Sequence, residues 1–170
     1  MKHIITLFVF SAMVGFAFIT PKKPEFHEFF KIAYEQSFSG LDKMRDDKTG
    51  QWNFAGGVGD FGKCEIQYDL DRAVHCIKFQ MDVEDNATGV QIMARYEDQL
   101  VQILPNSNYK IVPVRREGCS KHAIQFEFQT MDMAEKAKYP NIEMDVIENG
   151  TSSQMVIRLY EAFTKSNSKK

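Results

Sequence analysis

Cys119-Ser120-Lys121-His122 places a thiol three residues from an imidazole on one stretch of chain. A thiol becomes a nucleophile when a base takes its proton and a third group orients that base. Cys119 and His122 are therefore the candidate catalytic pair of a small hydrolase or thiol-dependent enzyme. No G-x-S-x-G elbow accompanies them. The same two residues have a metal-like spacing, and His75-Cys76 lies upstream. Tetrahedral zinc needs four converging ligands. Neighbours on a strand point to opposite faces, so only one of His75 and Cys76 could join. No metal site is assigned.

The remaining thiols, Cys64 and Cys76, flank a turn expected near residue 70. Facing each other across that hairpin, they are expected to form a disulfide and leave Cys119 odd. Pairing of either with Cys119 stays open, because spacing alone does not decide connectivity.

Gly57-Val58-Gly59-Asp60-Phe61-Gly62 fits G-x-G-x-x-G. A dinucleotide-binding loop needs a strand before it and a helix after it. Here a loop precedes and a strand follows. The segment resembles the glycine-rich loop of protein kinases, which lies between two strands. Lys78 on the next strand and Glu97 on the next helix have spacings similar to that family's phosphate-binding lysine and its partner glutamate. The resemblance spans about forty residues and implies backbone N–H groups held near phosphates. It stops there: Cys64 stands where the family has Val, and no H-R-D-x-x-x-x-N segment exists. About 70 residues follow Glu97, too few for a catalytic lobe. No cofactor follows from the motif.

These residues must be held by elements legible from periodicity. Phe26, Phe29, Phe30, Ala33, Tyr34, Phe38, Leu41 and Met44 recur at helical spacing, predicting a helix from Glu25 to about Asp46. Cys64, Ile66, Tyr68 and Leu70 alternate with polar residues, predicting a strand. Asp69-Leu70-Asp71-Arg72 is its turn and Val74–Val83 the return. Val74 and Cys76 break the parity of Ile77, Phe79, Met81 and Val83, predicting a bulge near Cys76. A second helix is expected from an Asn86 N-cap to Leu104, stopped by Pro105. Strands are expected at Tyr109–Val114, Ala123–Phe128, Ile142–Ile147 and Gln154–Tyr160, with one helical turn at Asp132–Lys138. Asn149-Gly150 marks a hairpin, its loop lengthened by Thr151-Ser152-Ser153. Both asparagines, in Asn86-Ala87-Thr88 and Asn149-Gly150-Thr151, also match the glycosylation sequon.

The order α-β-β-α-β-β-β-β predicts one α+β domain, with a largely antiparallel sheet of about six strands and two helices on one face. Residues 1–17 read as a cleaved signal peptide: a positive start, a short apolar run, then Gly15 and Ala17 ahead of the cut. Residues 18–24 are an exposed lead-in, 25–163 the domain and 164–170 a polar tail. No membrane span is expected after cleavage, since the apolar run is shorter than a bilayer needs.

The 170 residues carry a net charge of −2 and 3 Cys. That excludes disulfide-dense scaffolds and dedicated nucleic-acid binders, which carry a strong basic excess. The expected function is an exported, secreted or periplasmic, non-enzymatic binding module for a protein or a small apolar ligand. Phe79, Met81, Phe126 and Phe128, on one expected sheet face, are its candidate ligand-binding residues.

Overall fold

The computed structural model describes residues 23–44, 57–104, 108–115 and 118–163. The expected leader, most of the lead-in and the tail lie outside them. A twelve-residue helix, α1 (Phe26–Ser37), is followed by a short 3-10 turn, Leu41–Met44. The hairpin β1 (Lys63–Asp69) and β2 (Val74–Val83) leads to α2 (Asn86–Ile103). Then come β3 (Tyr109–Pro113), β4 (Ile124–Phe128), the single turn α3 (Met133–Lys136), β5 (Asn141–Asn149) and β6 (Ser152–Tyr160). Among the described residues no helix is long and apolar enough to cross a membrane.

The six strands form one antiparallel sheet in the order β1-β2-β6-β5-β4-β3. The α+β architecture expected from periodicity is the one observed. The last strand inserts beside β2, so the sheet is closed in the middle by its C-terminal hairpin. α1 and α2 cover one face. Their buried side chains share a core with Phe79, Phe126, Ile142, Met144, Met155 and Ile157. Phe26 is its hub, with ring centroids 4.9 Å from Tyr96, 5.2 Å from Phe61, 5.3 Å from Phe30 and 5.5 Å from Phe79. Burying an aromatic ring of this size stabilises by roughly 2–3 kcal/mol, so this cluster anchors α1 to the sheet.

Several expectations change. α1 ends at Ser37, earlier than its apolar spacing suggests, because Gly40 takes a φ of 106°, outside the helical region. Leu41 still reaches the core, but from the 3-10 turn. The N-cap of α2 is Asp85, whose carboxylate accepts from Thr88 N at 2.7 Å. Asn86 instead donates to Glu148 Oε1 at 2.7 Å. The β5–β6 loop has two residues, since Asn149 pairs with Ser152.

The cysteine expectation is overturned. Cys64 pairs with Phe79 and Cys76 pairs with Gln67, because the hairpin is centred between residues 71 and 72. Side chains alternate along a strand, so that register sends the two thiols to opposite faces. Cys64 enters the helix-side core, and Cys76 packs with Val74 and Tyr160 on the other face. None of the three cysteines is in a disulfide. The register runs unbroken from Asp69↔Val74 to Lys63↔Gln80, so β2 has no bulge at Cys76. Both faces of β2 are buried there, which is why its apolar residues do not keep one parity.

Candidate functional site

The helix-free face of the sheet carries the polar side chains. Glu143 and Asp145 of β5 stand on it, each only 2% exposed. A buried carboxylate persists only with firm partners, and both have them. Ser120 donates its N–H at 3.3 Å and its hydroxyl at 2.5 Å to Asp145. Arg72 pairs with Glu143 Oε1, and the Tyr160 hydroxyl donates to Glu143 Oε2 at 3.1 Å. The Arg72 guanidinium also lies 4.2 Å from the centroid of the Tyr160 ring.

The turn after β1 brings Arg72 there. Asp69 Oδ1 accepts from Asp71 N at 3.0 Å and Arg72 N at 3.1 Å, the side chain standing in for a backbone turn. Ala73 follows with a φ of 53°, which reverses the chain into β2. An Asp at that spacing favours such a turn. Nothing in the local sequence tells which carboxylate Arg72 will meet, 71 positions away.

Beside Arg72 lies a hollow of about 320 Å³. It opens at the end of the sheet where β4 and β6 finish and β2 and β5 begin. Val74, Phe128, Tyr139, Asn141 and Tyr160 line it, with Met133 and Lys136 of α3 and Phe163 at its margin. Phe128 stacks on Tyr139, centroids 3.5 Å apart and planes within 5°. The Tyr109 hydroxyl donates to Pro140 O at 3.2 Å and lies 2.9 Å from the Tyr34 hydroxyl, tying this wall to α1. Burial, then the Tyr34 hydroxyl, push the Tyr109 phenol well above its ordinary range, so it stays a donor. Lys136 pairs with Glu127, and burial together with nearby Lys110 lowers its pKa. Asn141 lines the hollow too, and its buried Oδ1 has no hydrogen-bond partner among the described residues.

Of the four residues expected to form a ligand wall, only Phe128 lines this hollow. Phe79 and Phe126 are sealed in the core at 0% and 1% exposure, and Met81 packs against that core. The expected face was the one the helices cover. Tyr139, Asn141 and Tyr160 were missed, because their value lies in being neighbours across three elements. A weak signal existed in Pro140, which marks the corner carrying Tyr139 and Asn141.

Cys119 and His122 do share a second hollow, of about 560 Å³, with Asn86 and Glu148 on its wall. Between them Ser120 gives its hydroxyl to Asp145 and accepts from His122 N at 3.2 Å, which fixes the loop. Among the described residues no three or more of His, Cys, Asp and Glu gather as metal ligands.

The glycine segment is a structural plug. Val58 and Phe61 exchange backbone hydrogen bonds of 3.1 and 2.9 Å across the two-residue turn Gly59-Asp60, and both side chains are fully buried. A Cβ on Gly57, at φ 83°, would fall 2.2 Å from Phe61 O. Lys78 lies on the helix-free face, opposite Glu65 and Arg158, while Glu97 belongs to α2 on the other face. The sheet separates them, so the kinase-like pair does not form. No protein-family model, curated protein or solved structure matches the chain.

Proposed function

We propose that the chain is an exported, non-catalytic binding module that seats a small, flat, largely apolar ligand in the hollow beside Arg72 and Tyr160. The observation that carries this reading is Asn141. A buried carbonyl oxygen without a donor costs about 1–3 kcal/mol, and a ligand N–H or O–H would relieve it once a turn of the Asn141 side chain brings Oδ1 to the hollow. The surrounding walls are aromatic, and the cations Arg72 and Lys136 are already neutralised by Glu143 and Glu127. The ligand class is therefore a neutral ring system with one hydrogen-bond donor. Export rests on the leader-like residues 1–17.

Indole and indene are the test probes, equal in shape and differing by the N–H. Titrations followed by two-dimensional NMR should show indole shifting resonances of Phe128, Tyr139 and Asn141, and binding roughly tenfold tighter than indene. Asn141→Leu should erase that preference while keeping both ligands. Equal affinities in the native protein, or shifts located elsewhere, would reject the hollow as the seat. N-terminal sequencing of the exported protein should begin at Phe18; an intact Met1 would reject export by a cleaved leader.

A further inference from the structure

We infer that the helix-free face of the sheet carries a second site, between Lys78 and Arg158, for a doubly charged tetrahedral oxyanion such as a phosphate group. The register of β2 and β6 sets Lys78 directly opposite Arg158. Residues so placed have Cβ atoms about 5 Å apart, and like charges there repel. Both side chains are half-buried. Among the described residues neither makes an ion pair or a side-chain hydrogen bond.

The acids that could relieve them are engaged elsewhere. Glu65 stands opposite Lys78, but Lys63 Nζ holds its carboxylate at 3.0 Å. Glu143 stands opposite Arg158, but Arg72 and Tyr160 occupy its two oxygens. Asp145, two residues further along β5 on the same face, is bonded to the neutral Ser120. Lys78 and Arg158 thus face each other as two positive charges with no acid bonded to either among the described residues. Burial first, then Arg158, lower the pKa of Lys78, and Glu65 opposes them only in part. The site therefore carries strain that an anion removes.

A guanidinium fork beside a rotatable ammonium suits a tetrahedral oxyanion, and its two charges match the Lys78–Arg158 pair where a monocarboxylate would meet only one of them. The site is separate from the hollow. It lies two residue pairs along the strands from Cys76 and Tyr160, about 7 Å away, and shares no side chain with the hollow's lining.

The test titrates the folded chain with inorganic phosphate at low ionic strength, following backbone NMR shifts on β2 and β6. Methyl phosphate runs beside it, to tell a terminal phosphate ester from the free ion. Saturable binding is expected below about 10 mM, weakened at least about tenfold in Lys78→Gln and in Arg158→Gln. The exposed α1 variant Lys31→Gln should bind as the native chain does. Acylation of Lys78 by acetic anhydride should slow when phosphate is present. Each single variant should also raise the melting temperature of the phosphate-free protein, which reports the like-charge strain independently. Unsaturable shifts, or equal binding in Lys31→Gln and both site variants, would overturn the proposal.

Discussion

The Glu161 carboxylate accepts a hydrogen bond of 3.0 Å from the backbone N–H of Leu41, 120 positions earlier in the chain. Its other oxygen accepts from His75 N at 2.8 Å and lies 3.2 Å from His75 Nδ1. One carboxylate, 6% exposed, therefore joins the 3-10 turn after α1, the start of β2 and the end of β6. Removing it leaves two N–H groups, the buried one of Leu41 and the partly buried one of His75, without acceptors. Glu161→Ala should destabilise by about 3 kcal/mol, while Glu161→Gln, which keeps one acceptor, should cost about 1 kcal/mol. Urea unfolding midpoints measure both. Equal losses would mean that a neutral amide oxygen replaces neither bond, so that the charge carries the whole contribution.

The three thiols should differ sharply in reactivity. Burial, then Glu65, push the Cys64 thiol up to about 12, and burial pushes Cys76 up to about 11. The thiolate is the reactive form, so both should resist iodoacetamide at neutral pH until the protein unfolds. Half-buried Cys119 should be alkylated first. Peptide mass mapping after brief treatment of the folded protein distinguishes them, and early modification of Cys64 would contradict the helix-side core placement.

Alkaline pH should loosen the fold in a defined window. Cys64 and Cys76 have ordinary values near 9, and Tyr96 has one near 10 that burial, then Asp60, raise to about 12. Each group holds its proton more tightly folded than unfolded. Stability from this source is fully present below about pH 9 and is lost as pH rises towards 11 and 12. Urea midpoints recorded upward from pH 8 should stay level and then fall. A rise above pH 9 would contradict the burial of these groups.

Gly89 should resist a substitution that normally stabilises helices. In a helix interior Gly→Ala gains about 1 kcal/mol. At Gly89 a Cβ would fall 2.6 Å from Val146 Cγ1 and 3.1 Å from Val83 Cγ2, since α2 presses on β5 here. Gly89→Ala should instead cost about 1–3 kcal/mol through overpacking. Combining it with Val146→Ala should cost less than the two single changes added together. Simple additivity would show that the helix already stands clear of the strand.

Much of the architecture follows from short-range pattern. The stripe from Phe26 to Tyr34 makes α1 amphipathic whatever it packs on. The alternation of Cys64, Ile66 and Tyr68 makes β1 half-buried. Apolar spacing specified six strands and two covering helices because helix and strand each impose a period on the residues that form them.

Tertiary structure decided everything that depends on register and strand order. A turn at Leu70–Ala73, centred between residues 71 and 72 rather than near residue 70, moved Cys64 and Cys76 to opposite faces. Insertion of β6 between β2 and β5 set Lys78 against Arg158. Placing β5 beside β6 put Glu143 beneath Arg72 and within reach of Tyr160. Shifting a strand by one residue leaves its own periodicity intact while flipping every side chain to the other face. The sequence by itself thus determined which segments form strands and helices. Which thiols meet, which cations are left unpaired and where the hollow opens depend on contacts between distant segments, and those exist only once the sheet is assembled.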